Sequence, residues 1–124
     1  MNVLIVDDDD AIRTLVVRLF ARRGDAVQSA ADGVAAIRCL ETHRFDLVVL
    51  DLMMPRTDGF GVLSYLAARN TARPCIIVMT AAVPLLVEQV PKDLVAGVIA
   101  KPFDLSALLD LAEEALGPAP VVAS

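Results

Sequence analysis

Carboxylate, hydroxyl and amino side chains stand directly after several short apolar runs of this sequence. These side chains belong to Asp7, Asp8, Asp51, Thr80 and Lys101. Three carboxylates gathered in one place repel one another unless a cation is present. Mg²⁺ suits such a place because it prefers oxygen ligands and keeps several waters. The residue types therefore predict a magnesium-dependent site, provided that the fold brings them together.

Phosphoryl transfer is the chemistry that this set predicts. An ionised carboxylate attacks phosphorus without a general base, so Asp51 is the candidate nucleophile and an aspartyl-phosphate the expected product. The metal and the ammonium group of Lys101 would spread the charge of the transferring group. The hydroxyl of Thr80 would donate a hydrogen bond to the same group.

The apolar runs that precede these residues predict buried strands. Residues 3–6, 47–50 and 75–79 are short, continuous and rich in β-branched side chains. Such runs are typical of parallel strands that are covered on both faces. Val27 with its neighbours and residues 98–100 are weaker members of the same set.

Helical patterns lie between the strands. Apolar residues at helical spacing cover residues 12–20, where Gly24 ends the helix, and recur over residues 34–40 and 59–69. A last helix covers residues 105–116, with Asp104 as its N-cap. Residues 84–94 predict only a short or distorted helix, because Pro91 would interrupt or end it.

Strands and helices in alternation predict an α/β fold with a doubly wound, five-stranded parallel sheet and five helices, of which the fourth is short or distorted. Ligands of such sheets bind outside the carboxyl ends of the strands. The five candidate site residues all follow predicted strands, so the fold would bring them to the carboxyl edge of the sheet.

The whole chain sets further bounds. Its 124 residues predict one domain over residues 1–116 and a short, flexible tail over 117–124. The net charge of −5 disfavours direct nucleic-acid binding, and the apolar runs are too short to span a membrane. Cys39 and Cys75 are expected to be reduced core thiols, and His43 is the only histidine, which disfavours zinc. A cytoplasmic protein is expected.

In combination, four motifs resemble the receiver domains of two-component response regulators, including the single-domain chemotaxis regulators. They are Val-Asp-Asp at 6–8, Leu-Asp-Leu-Met-Met-Pro at 50–55 with Asp-Gly at 58–59, Met-Thr-Ala at 79–81 and Lys-Pro-Phe at 101–103. The resemblance covers the chain up to about Leu116. It implies a flavodoxin-like sheet with strand order 2-1-3-4-5.

The resemblance also implies the partners and the roles of the site residues. Asp51 would accept a phosphoryl group from a sensor histidine kinase or a histidine phosphotransfer protein. Lys101 would pair with the phosphoryl oxygens, and Thr80 would turn toward them. The implied Mg²⁺ ligands are Asp8, Asp51 and the backbone carbonyl of Met53, with Asp7 acting through water. Such a domain is not an enzyme in the usual sense, although it assists its own phosphorylation and dephosphorylation.

Two departures from the family pattern concern the output of the signal. Val98 stands where the family usually has Tyr or Phe, and Pro84 and Pro91 fall where the family has a continuous fourth helix. They keep open a receiver-like adaptor that works without phosphate. A small phosphohydrolase with an aspartyl nucleophile is a further alternative, but it would need a second acid and a cap. The downstream partner stays unassigned, and pairing with a second copy of the chain stays open.

Overall fold

A computed structural model describes residues 1–54, 58–69, 73–81, 88–101 and 104–117. Within them the chain forms five strands and four helices. The strands are β1 Asn2–Val6, β2 Ala26–Ala30, β3 Leu47–Asp51, β4 Cys75–Thr80 and β5 Gly97–Ala100. The helices are α1 Asp10–Arg23, α2 Gly33–Thr42, α3 Gly59–Ala68 and α4 Leu105–Leu116.

The five strands form one parallel sheet in the order β2-β1-β3-β4-β5. Val6 pairs with Leu50, Asp51 with Met79, and Thr80 with Ala100, so the carboxyl ends of neighbouring strands lie side by side. The predicted sheet and its strand order are confirmed. This register brings the residues after β1, β3, β4 and β5 to one edge.

The three central strands supply most of the core. Four residues of β1, all five of β3 and five of β4 are buried, because helices cover both faces of the sheet. Alternate residues of each strand belong to two separate apolar clusters, one on each face. The outer strands β2 and β5 are much more exposed, which explains why their apolar pattern is weaker. Cys39 and Cys75 are free and only half-buried.

Each of the four helices begins with an aspartate N-cap. The side chains of Asp9, Asp32, Asp58 and Asp104 accept hydrogen bonds from backbone N–H groups of the first turn. Gly24 ends α1 in the left-handed conformation, with φ of 98°, as its sequence position predicts. The predicted boundaries of the helices are therefore confirmed to within a few residues.

The predicted short fourth helix lies within residues 84–94, of which residues 84–87 fall outside the described ranges. It therefore stays a prediction, and the count of five helices is not confirmed. The described part shows Val90 buried and a turn closed by a hydrogen bond from the Leu94 N–H to the Pro91 carbonyl at 3.1 Å. In the described chain, no helix has both the length and the apolar character needed to cross a membrane.

The start of α3 is pressed against the end of β3. A Cβ atom on Gly59 would lie 2.4 Å from the carbonyl oxygen of Asp51 and 2.6 Å from the Cα of Leu52. Both contacts are with backbone, which cannot turn aside as a side chain can. Only glycine allows this approach, and the approach fixes the backbone that carries Asp51.

We expect Gly59→Ala to destabilise the fold by about 3 kcal/mol, because the added methyl group must displace backbone. Gly97→Ala is the matched control, since its Cβ would meet only the end of the Leu111 side chain, at 3.0 Å. This control should cost about 1 kcal/mol. Urea denaturation of both variants measures the difference, and equal losses would contradict a backbone clash at Gly59.

Candidate functional site

The predicted site residues meet at the carboxyl edge of the sheet. Asp7 follows β1, Asp51 is the last residue of β3, Thr80 is the last residue of β4, and Lys101 follows β5. Asp7, Asp51 and Thr80 are buried, whereas Asp8 is exposed. The structure therefore brings together residues that are up to 94 positions apart in sequence.

Lys101 joins two of the carboxylates. Its Nζ atom lies 2.7 Å from Oδ2 of Asp7 and 3.2 Å from Oδ2 of Asp51. The lysine side chain is only 14% exposed, so water screens these ion pairs weakly. The ammonium group therefore holds β1, β3 and the segment after β5 together at their carboxyl ends.

Asp51 is held by one interaction on each oxygen. Oδ1 accepts a hydrogen bond from the Met53 N–H at 3.1 Å, and Oδ2 faces Lys101. Burial raises the pKa of the Asp51 carboxyl above its ordinary value, and the charge of Asp7 adds to the rise. The Met53 N–H and Lys101 oppose this rise in pKa without cancelling it. The ionised form of Asp51 therefore lacks sufficient compensation from the protein alone.

The pKa of Lys101 is raised although burial alone would lower it. Burial is the largest single effect, but the hydrogen bond to Asp7 and the attraction of both carboxylates together outweigh it. Lys101 therefore stays an ammonium ion at neutral pH. Its single positive charge faces two carboxylates, which leaves the site with excess negative charge.

Three carboxylates are arranged as a divalent cation would require. Oxygen atoms of Asp7, Asp8 and Asp51 all lie within 4.8 Å of one another, a spacing that one ion could bridge. The donors are all hard oxygens, and the raised pKa of Asp51 shows that another positive charge would be favourable here. The residues present therefore fit Mg²⁺. Within the described part of the chain, this is the only cluster of three or more potential ligands from His, Cys, Asp or Glu.

Thr80 brings a buried hydroxyl group to the site. Its Oγ1 atom is buried and makes no hydrogen bond to the residues that the structure describes, while its backbone carbonyl accepts one from the Lys101 N–H at 2.7 Å. A buried hydroxyl without a hydrogen bond costs free energy. The backbone of Thr80 is thus tied to the segment of Lys101, and its side chain has an unused donor.

A shallow cavity lies beside the carboxylates. It has a volume of about 340 Å³ and is lined by Asp8, Leu52, Met53, Met54 and Asp58. The Met53 side chain is 56% exposed at this opening. The predicted role of the Met53 carbonyl as a metal ligand is not tested by these contacts. The cavity leaves the side of the site near Asp8 open to solvent.

Arg13 supports the site in a way that the sequence analysis missed. Its Nη1 atom donates to the backbone carbonyl of Asp7 at 2.9 Å, and its Nη2 atom pairs with Asp10. The N–H of Asp9 also donates to Oδ1 of Asp7, at 2.9 Å. The spacing of Asp10 and Arg13 predicts their ion pair on a helix. Nothing in the spacing predicts the bond from Arg13 to the Asp7 carbonyl.

Comparison of the sequence with known families finds one that covers most of the chain. A family profile described as the response regulator receiver domain matches residues 3–113. The transcriptional regulatory protein AfsQ1 of Streptomyces coelicolor is 41% identical over 80 residues. This alignment covers 64% of the chain and 35% of AfsQ1, so the chain spans about a third of that relative's length.

Solved structures agree with this result. A response regulator receiver domain from Bermanella marisrubri has a TM-score of 0.84 at 31% identity, covering 93% of this chain and 97% of that one. The chemotaxis response regulator CheY4 of Vibrio cholerae has a TM-score of 0.81 at 29% identity, covering 93% and 98%. The fold and order of elements are therefore shared along almost the whole of both chains.

We expect Asp51→Asn to stabilise the metal-free protein at pH 7 by about 1 kcal/mol, a usual size for one stabilising substitution. The sign follows from the raised pKa of Asp51: a carboxyl whose pKa is raised on folding loses stability as the pH rises through that folded-state pKa. Denaturation in EDTA measures the gain.

Mg²⁺ should stabilise the unsubstituted protein by about 1.4 kcal/mol for each tenfold excess over its dissociation constant, and Asp51→Asn much less. Asp110→Asn is the matched control, because Asp110 is exposed on α4, outside the carboxylate cluster, and should change neither value. A loss of stability in EDTA for Asp51→Asn would show that Lys101 fully compensates the ionised carboxylate.

Proposed function

This chain belongs to the response regulator receiver domain family, and on that premise we propose that Asp51 is its phosphoacceptor. The observation that carries the proposal is the position of Asp51: it lies within reach of Lys101 and of two other carboxylates, in a site that needs one more cation. A phosphoryl group from a phosphohistidine would be transferred to its carboxylate. The product is an aspartyl-phosphate that changes the surface seen by a partner.

The transfer makes one bond and breaks one. An oxygen of the Asp51 carboxylate attacks phosphorus, an O–P bond forms, and the N–P bond of the donor breaks. The electron pair of that bond stays on the imidazole nitrogen of the donor, which takes up a proton. Asp51 needs no general base, because it is the carboxylate itself that attacks. In hydrolysis of the aspartyl-phosphate, water attacks phosphorus, the bond from the Asp51 oxygen to phosphorus breaks, and the products are inorganic phosphate and the free carboxylate.

The neighbours of Asp51 orient it and stabilise the transferred charge. The Met53 N–H holds Oδ1 at 3.1 Å and fixes the rotation of the carboxylate. Lys101 is already 3.2 Å from Oδ2 and would follow the charge to the phosphoryl oxygens. Mg²⁺, when bound, supplies charge neutralisation at the same oxygens. Asp8 and Asp51 would hold it together with the Met53 carbonyl, and Asp7 would act through water.

Thr80 would respond to the phosphoryl group after its transfer to Asp51. Its buried hydroxyl lacks a hydrogen-bond partner among the described residues, so a phosphoryl group on Asp51 would offer it an acceptor. Because the Thr80 carbonyl is bonded to the Lys101 N–H, a shift of Thr80 would move β5. Val98, 38% exposed on β5, would then carry the change without the aromatic side chain usual in the family.

The partners that we propose are a histidine kinase or a histidine phosphotransfer protein as donor, in the cytoplasm. The domain would cover residues 1–116, with 117–124 as a tail. The output partner is not assigned. AfsQ1 is named as a transcriptional regulator, but the net charge of −5 argues that this domain does not itself bind DNA.

We expect one phosphoryl group per chain when the protein is incubated with acetyl phosphate and Mg²⁺. Intact mass spectrometry should show the addition, which base removes, and Asp51→Asn should abolish it. Lys101→Met should slow the reaction about a hundredfold or more, as is typical when one group that stabilises the transition state is removed.

Lys92→Met is the matched control for the lysine, because Lys92 and Lys101 are the two lysines of the chain and Lys92 is exposed. It should react at the rate of the unsubstituted protein. Absence of any uptake would reject the proposal in favour of an adaptor that needs no phosphate. Rapid, repeated release of phosphate from many phosphomonoesters would instead identify a hydrolase.

Beryllofluoride, which imitates a phosphoryl group on an aspartate, should change the domain through Thr80. We expect it to shift the amide NMR signals of β5, including that of Val98, in the unsubstituted protein. Thr80→Val should still bind beryllofluoride but lose most of these shifts, because it removes the hydroxyl and keeps the shape. Light scattering on the same samples tests pairing of two copies. Equal shifts in both proteins would contradict coupling through Thr80.

A further inference from the structure

A second cavity lies at the amino edge of the sheet, opposite the site of Asp51. It has a volume of about 640 Å³ and opens where β3 and β4 begin. Its walls include the ends of two helices, since His43 caps the C-terminus of α2 and Arg69 caps that of α3. The cavity belongs to the range of volumes typical of small-molecule sites and shares no residue with the carboxylate site.

Basic side chains dominate the polar part of this cavity. Arg44, Arg69 and Arg73 line it together with His43, whereas Asp46 is the only carboxylate among the described residues of its wall. Oδ2 of that aspartate already accepts a hydrogen bond from the Asn2 N–H at 2.7 Å. A chain with a net charge of −5 thus has a local excess of positive charge here.

A favourable position at a helix C-terminus accounts for only one of the three arginines, Arg69. Cations are favourable near helix C-termini, and Arg69 donates to the Leu40 carbonyl at 3.2 Å and stacks over the Tyr65 ring at 5.7 Å. Arg44 and Arg73 lie beyond the helix ends. In the described part of the chain, neither of them makes a hydrogen bond or an ion pair. Two guanidinium groups at one cavity are therefore available to an anion.

The rest of the cavity is apolar and contains flat groups. Leu40 and Phe45 line it together with Pro74. The rings of His43 and Phe45 lie 6.3 Å apart at an angle of 47°, so together they form an angled wall. A flat ring of a ligand can stack on such groups, and on arginine as well. The cavity thus combines an anion-binding part with a place for a ring.

From this combination we propose that the cavity binds an organic phosphate with a flat ring, of which a mononucleotide is the simplest example. Arg44 and Arg73 would hold the phosphate, because a guanidinium group matches two phosphate oxygens at once. The ring would lie against Phe45 and His43. Electrostatics also favours phosphate binding at the amino edge, because the carboxylates of the carboxyl edge repel a phosphate in the absence of metal.

The test is calorimetric titration of the full chain with AMP in EDTA, which prevents metal-dependent binding near Asp51. We expect binding in the submillimolar range, weakened roughly tenfold or more in Arg44→Gln/Arg73→Gln, since two charge-assisted contacts are lost. Arg18→Gln/Arg22→Gln is the matched control: it removes the same charge from exposed positions of α1 and should bind AMP as the unsubstituted protein does.

Further probes separate the parts of the proposal. Adenosine and inorganic phosphate should each bind at least about tenfold more weakly than AMP, if both ring and phosphate contribute. An equal loss of affinity for AMP in both double variants would overturn the proposal, and so would a failure of the unsubstituted protein to bind AMP. Binding of a polyglutamate peptide in place of AMP would overturn it in favour of an acidic protein partner. Asp51→Asn should bind AMP normally, so failure here is distinguishable from failure of phosphorylation.

Discussion

The ion pairs of Lys101 with Asp7 and Asp51 are the interaction on which the rest of the site depends. They connect three strand ends through one ammonium group that is only 14% exposed. Removing the charge of Lys101 would leave two buried carboxylates uncompensated, which is far more costly than losing a surface ion pair. Yet one cation does not balance two carboxylates, and this shortfall of positive charge adds to the burial that raises the pKa of Asp51. The same shortfall creates the need for a metal ion.

The central strands, part of the site and a helix cap could be predicted from the sequence, because they follow from local patterns of residues. The continuous apolar runs of β1, β3 and β4 identify strands covered on both faces, and a parallel sheet necessarily gathers their carboxyl ends at one edge. Asp7, Asp51 and Thr80 could therefore be assigned to one site. The aspartate cap at 104 is equally local, because it requires only the first turn of its own helix.

What could not be predicted depends on distances between remote parts of the chain. The sequence indicated that Lys101 would meet phosphoryl oxygens, but not that it pairs with Asp7 as closely as 2.7 Å in the absence of phosphate. The hydrogen bond from Arg13 to the Asp7 carbonyl could not be predicted for the same reason, nor could a Thr80 hydroxyl without a partner among the described residues. The basic cavity is the clearest case, because its arginines follow two different helices. No periodicity connects them.

Charge is thus divided between the two edges of one sheet. At the carboxyl edge, the carboxylates of the described residues outnumber the cations, which favours a bound metal ion there. At the amino edge, cations outnumber carboxylates, and a phosphate needs no metal. β3 connects the two edges directly, because Asp46, which precedes it, lines the basic cavity, and Asp51 ends it. A ligand of the proposed basic cavity would therefore contact the start of the buried strand whose last residue is Asp51. By linkage, any effect of that ligand on phosphorylation must be matched by an equal effect of phosphorylation on its binding.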